Sequence, residues 1–100
     1  MKSHTISVTV ESASIHVHPD PLVMTTQDEV QWTSGNARRF SIEFDGSGPF
    51  ASRSLAYSDA TAKQRPRVKG RFKYTVISEE NPSLRLDPQV VVDPPPTGQG

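Results

Sequence analysis

Residues 71–93, RFKYTVISEENPSLRLDPQVVVD, decide how the rest of the chain is read. Phe72, Tyr74 and Val76 alternate with Arg71, Lys73 and Thr75. Side chains of a strand point alternately to its two faces, so this run has one apolar and one polar face. Glu79-Glu80-Asn81-Pro82 interrupts the alternation with turn residues, and Val90-Val91-Val92 supplies a second β-branched run. Strand, turn and strand make the last hairpin of a small β-sandwich. The stretch holds no Cys, His or Met.

Outward from this hairpin the same period recurs in short runs. Ile6, Val8 and Val10 alternate with Thr5, Ser7 and Thr9, and Ile15 and Val17 with Ser14, His16 and His18. Leu22-Val23-Met24 follows, then Val30 and Trp32 flanked by Glu29, Gln31 and Thr33. Phe40, Ile42 and Phe44 form the cleanest inward face, opposite Arg39, Ser41 and Glu43. Short alternating runs between turn signals predict an all-β sandwich or barrel. Asp20-Pro21, Ser34-Gly35-Asn36, Asp45-Gly46, Lys69-Gly70 and Asn81-Pro82 supply the turns, through the fixed φ of Pro or the positive φ open to Gly and Asn. From Gly46 to about Pro66 the pattern lapses, which predicts a long crossover with at most one helical turn, capped by Ser58. Residues 1–93 read as a single domain. Residues 94–100, rich in Pro and Gly, cannot join a sheet ladder and read as a tail or linker.

Composition narrows the chemistry. The chain has 100 residues, of which 33% are hydrophobic, enough for one core. Eleven Lys and Arg balance eleven Asp and Glu, so net charge points to neither nucleic acid nor membrane. No cysteine is present, which removes disulfides, thiolate catalysis and thiolate-bound metals. The first residues lack the apolar core of a secretory signal, and no run approaches the roughly 18 apolar residues of a membrane span. The expected location is cytoplasmic.

Taken in order, IHVHPDPLVMTTQDEVQW, RRFSIEF, the irregular crossover, GRFKYTV and DPQVVVD resemble the cupredoxin-like fold, over roughly residues 5–93. The G-x-F-x-Y-x-V run is similar to that family's G-x-Y-x-Y-x-C strand. The likeness is strongest to small bacterial cupredoxin-like proteins of unassigned function. It implies a two-sheet Greek-key β-sandwich of about seven strands. The resemblance also says where blue-copper ligands would fall. The first His falls at Arg38 or Arg39, the Cys at Val76, the second His within Ser78–Asn81 and the axial Met near Leu84 to Leu86. Such a site needs two imidazoles and a thiolate on one ion. This chain has none of them at these positions, so the resemblance implies a copperless scaffold without cofactor.

Other residues qualify as candidates on their own chemistry. His16 and His18 share one face of a strand and form a possible metal pair, to which His4 adds a third ligand if the first strand lies alongside; the alternative is two ordinary solvent-facing histidines. Lys63, Arg65, Arg67, Lys69, Arg71 and Lys73 occupy every second position and, where extended, form a basic stripe suited to phosphate or an acidic protein. Arg38 and Arg39 are candidate extensions of it. The alternative is a charged face guarding an edge strand. Pro49, Phe50, Leu55 and Tyr57 in the crossover form a partner-binding surface unless they tuck over the end of the core. Ser47, between two glycines, matches no nucleophile motif, and Glu79-Glu80 are turn neighbours whose side chains diverge. Trp32, Phe40, Phe44 and Tyr74 read as core anchors. No catalytic constellation emerges. The expected function is a non-catalytic binding or assembly module with a protein partner, with homodimerisation through an edge strand a further possibility. Two alternatives stand beside it: metal binding through His16 and His18, and an anionic partner such as nucleic acid on the stripe.

Overall fold

The alternating runs become strands in the computed structural model, which describes residues 2–94. The strands are β1 (Ser3–Val10), β2 (Ile15–His18), β3 (Leu22–Thr25), β4 (Glu29–Ser34), β5 (Phe40–Phe44), β6 (Ser54–Leu55), β7 (Gly70–Ser78), β8 (Arg85–Leu86) and β9 (Gln89–Asp93), with one helical turn, α1 (Tyr57–Ala60). They form two sheets, one ordered β2-β1-β4 and the other β3-β9-β7-β5-β6, with β8 beside the C-terminal part of β7. Two pairings are parallel, β1 with β4 and β3 with β9, and the other strand pairings are antiparallel. The fold is therefore an all-β sandwich. It has nine strands among the described residues rather than about seven. The two extra ones, β6 and β8, are two residues long, too short for alternation to reveal them.

The core is the meeting of the inward faces. Ile6, Val8, Val10, Val30 and Trp32 from the small sheet face Phe40, Ile42, Phe44, Tyr74, Val76, Val90 and Val92 from the large one, all buried. Trp32 and Tyr74 meet edge to face at 5.6 Å, and the indole N–H donates to the Tyr74 hydroxyl at 3.2 Å. Between β2 and β3 the chain changes sheets at Pro19-Asp20-Pro21, where two residues lack the N–H a ladder requires. Asp20 Oδ1 accepts the backbone N–H of Gln89 at 2.9 Å and ties this corner to β9.

The crossover takes the second of the two alternatives read for its apolar residues, and departs from expectation at Ser58. Phe50 and Leu55 do not form a partner surface: they are 5% and 3% exposed. Phe50 lies edge-on to Trp32 and Phe44, at 5.9 and 5.5 Å, and Leu55 pairs with Ile42. A small sandwich closes its end with whatever apolar side chains the nearest loop offers, since each fully buried one contributes about 1.5–3 kcal/mol. Gly48 permits this approach. Its φ is +67°, and a Cβ there would stand 2.8 Å from Cβ of Phe44. Ser58 does not cap the helical turn. It lies within α1, and Ala56 holds the N-cap position without a side-chain bond. Of the expected tail, residues 95–100 lie outside the described residues.

Candidate functional site

The register of β5 against β7 brings together the most chemically distinctive group on the surface. Phe40 pairs with Ser78, so the residues just before β5 meet those just after β7 at one end of the large sheet. The Glu79 N–H donates to the Arg39 carbonyl at 3.2 Å and carries the ladder one step further. Arg39 Nε then stands 3.4 Å from Glu79 Oε1, and Arg38 Nε 3.9 Å from Glu80 Oε1. The Arg39 guanidinium also lies over the Tyr57 ring at 5.1 Å, and Tyr57 is braced edge-on by Phe40 at 5.2 Å. Ala37, Arg38, Arg39, Glu79 and Glu80 line an open surface pocket of about 400 Å³.

The loop leading into this corner is held in an unusual conformation. Ala37 has φ +62°, a left-handed geometry that costs a residue with a Cβ about 1–2 kcal/mol. Asn36 fixes it, donating from Nδ2 to the Val10 carbonyl at 2.8 Å and accepting the Arg38 N–H at 3.4 Å on Oδ1. All four polar groups of the pocket are ionic and largely in water. The two carboxylates each face a guanidinium group, and this arrangement of paired charges suits recognition of charged or polar surfaces.

This is also the corner to which the resemblance assigns copper ligands. Arg38, Arg39 and the Ser78–Asn81 turn converge there, Val76 is buried beneath, and Leu84 and Leu86 pack half-buried on the core. The donor set does not fit a blue-copper ion. No imidazole or thiolate is present, and both glutamates already face guanidinium groups.

The histidines do not converge either. His16 and His18 point outward from β2, opposite Thr9 and Ser7. His4 sits on the other face of β1, in phase with Ile6 and Val8, where Nε2 donates to Asp28 Oδ2 at 3.0 Å. Among the described residues no group of three His, Cys, Asp or Glu is placed to hold a metal ion. One cluster was missed by reading the sequence. His16 Nε2 meets Glu11 Oε1 at 3.0 Å and Ser14 Oγ at 3.2 Å, at the tip of the β1–β2 hairpin. Both contacts use the same ring nitrogen, which braces the hairpin and cannot relay a proton from Ser to Glu. Its only signal was a Glu and a Ser flanking a two-residue turn.

The basic stripe is broken by the backbone. Extended structure begins at Gly70, so only Arg71 and Lys73 share the outward face of β7. Arg71 donates to Gln89 Oε1 at 3.1 Å. Lys63 pairs with Glu29 at 3.2 Å, on β4 of the other sheet, and Gln64 bridges Val30. Arg67 and Lys69 are exposed in the irregular segment before β7, where the Arg67 N–H donates to the Pro49 carbonyl. Arg65 is exposed in the same segment. Arg38 and Arg39 do not extend the stripe. They lie beyond Ser78, seven residues and about 23 Å along β7 from Arg71. Ser47 is exposed in its loop, remote in the sequence from every histidine. No helix among the described residues is long and apolar enough to cross a membrane.

Compared with known protein families and with curated proteins, the chain matches no family model and no curated sequence.

Proposed function

We propose that this chain is a non-catalytic binding or assembly module on a copperless cupredoxin-like scaffold, and that it meets a protein partner at the Arg38, Arg39, Glu79, Glu80 corner. The observation that carries the reading is the exchange of chemistry at one place. The positions at which the resemblance puts metal ligands come together in space, and they present two Arg–Glu pairs around an open pocket. The division of β2 and β3 between two sheets, and the parallel pairs β1–β4 and β3–β9 that join strands distant in sequence, are compatible with the cupredoxin-like part of the reading. Strain and stacking support the binding part. A left-handed Ala37 held by Asn36 and a guanidinium over Tyr57 restrict the corner, which lowers the ordering cost of docking. The division of the Lys63–Lys73 run between an irregular segment and β7, with Lys63 drawn to Glu29, favours a protein contact here over a nucleic-acid track.

The test is site-specific photocrosslinking in the producing cell. A benzophenone amino acid at Arg38 is expected to give a discrete heavier adduct, identified by mass spectrometry, that the same probe at Thr5 on the outer face of the small sheet does not give. Equal labelling at both positions, or none at Arg38, would overturn the reading.

A further inference from the structure

We infer that the partner at this corner is a second copy of the chain, docked about a two-fold axis so that Arg38 and Arg39 of each protomer face Glu79 and Glu80 of the other. The inference rests on the reading of the corner as the contact region, and four observations lead to it.

The corner is balanced. Two guanidinium groups occupy the β4–β5 side and two carboxylates the β7–β8 side. An acidic peptide approaching the arginines would meet Glu79 and Glu80, and a basic one approaching the glutamates would meet Arg38 and Arg39. A surface that satisfies both must carry the same two signs in the reverse layout. A two-fold rotation of the patch onto itself provides that, because an isologous contact sets residue i against j and j against i.

The internal pairs are unfinished. At 3.9 Å the Arg38–Glu80 contact is longer than a hydrogen bond, and at 3.4 Å the Arg39–Glu79 contact is at the long limit. Both run through Nε, whereas a guanidinium binds carboxylate best with a two-pronged fork. Exposed single contacts of this kind contribute little in water. Excluding water between two copies would strengthen them and give each fork a second carboxylate.

Arg39 is preset for such a contact. Its guanidinium lies over the ring of Tyr57, itself braced by Phe40, and that contact favours this position before any partner arrives. Finally, the formal net charge is zero, so two copies approach without long-range repulsion. One rival surface for self-association is the outer edge of β3, four residues long with Val23 exposed. It is uncharged, so it would give a dimer insensitive to every charge change at the corner.

Sedimentation velocity on the purified chain, across a concentration series, tests the inference. The expected result is a reversible monomer–dimer equilibrium that weakens as salt rises from about 50 mM to about 500 mM, where screening shortens to a few ångströms. The R38E/R39E and E79R/E80R variants are each expected to dimerise at least about tenfold more weakly than the wild type. Their equimolar mixture is expected to regain association, because each mutated patch then meets its opposite. Far-UV circular dichroism checks that both variants keep their sheets, and the wild-type salt series stands if one does not. A wild type that stays monomeric throughout, a dimer indifferent to both charge reversals and to salt, or a mixture that fails to associate would each overturn the inference. A monomer here combined with a photocrosslink from position 38 to a different protein would sink the homodimer and leave the binding corner standing.

Discussion

Asp28 lies in the turn between β3 and β4 with its side chain 8% exposed, and it closes the N-terminal strand onto that turn. His4 Nε2 donates to Oδ2 at 3.0 Å, the Thr25 N–H donates to the same oxygen at 3.0 Å, and the Lys2 N–H donates to Oδ1 at 3.1 Å. The bond from His4 is the largest influence and, with the two backbone donors, holds the carboxyl far below the ordinary carboxylate range despite the opposing effect of burial. A depressed folded-state value means that the unfolded chain binds the proton first. The resulting stability is therefore present above the unfolded carboxylate's ordinary pKa of about 4 and is lost as pH falls below it. Asp28→Asn is expected to lower unfolding free energy by about 2–3 kcal/mol at neutral pH, since bonds to a charged acceptor contribute about 1.5–3 kcal/mol. Urea unfolding should show the gap between wild type and variant narrowing from about pH 5 to about pH 2; a gap that is constant with pH would refute the ionic role. Tyr74 is the alkaline counterpart. Burial pushes its hydroxyl well above the usual phenol range, so its contribution is complete below about pH 10 and is lost above it. Tyr74→Phe leaves the buried Trp32 N–H without its acceptor, and we expect a loss of about 1–3 kcal/mol in urea unfolding together with less alkaline destabilisation than the wild type shows.

The strands that alternate cleanly were legible from the chain alone, and the reason is geometric. In β1, β4, β5 and β7 the backbone is extended, so a period of two in the sequence is a period of two in space, and Trp32, Phe40, Phe44 and Tyr74 land in the core as read. Where the backbone is irregular, the same reasoning loses its premise. Lys63 to Lys73 alternates as regularly in sequence as any strand, yet extended structure starts only at Gly70 and the cations scatter. Phe50 and Leu55 are ambiguous for the same reason, because no period says which way a loop residue points. The Arg–Glu corner was only half legible. The resemblance named both segments, but their pairing depends on the Phe40–Ser78 register, which appears in neither segment separately. The crossover's burial gives a sharp expectation: Phe50→Ala should behave as a core truncation, costing about 3–5 kcal/mol with an unchanged denaturant slope. A loss below about 1 kcal/mol would return Phe50 to the surface, as expected of an exposed site.

At the scale of the whole molecule, the two sheets decide what the three histidines can do together. His16 and His18 lie on the outer face of the small sheet, and His4 lies on its inner side, already bonded to Asp28. Reaching a common ion would require His4 to cross the plane of β1 and release a carboxylate that anchors the N-terminal strand. Two neighbouring imidazoles without a third ligand leave a divalent ion mostly in water, so Cu(II) or Zn(II) binding is expected to be weak and not to saturate at one ion per chain. The measurement is a urea unfolding series of metal-stripped protein with and without added metal, followed through Trp32, which is buried in the core away from the outer face that carries His16 and His18. A site that binds only the folded state stabilises it by RT ln(1 + [L]/Kd), about 2.7 kcal/mol at a hundredfold excess over Kd. With metal at about a hundred times a micromolar Kd, a real site would therefore move the midpoint far outside error, and His16→Ala would abolish the shift. We expect no shift in either protein, because among the described residues no three His, Cys, Asp or Glu side chains are grouped to hold an ion, and Glu11 meets His16 alone; a shift of that size, lost in the variant, would mean that the scaffold has rebuilt a metal site on a different strand.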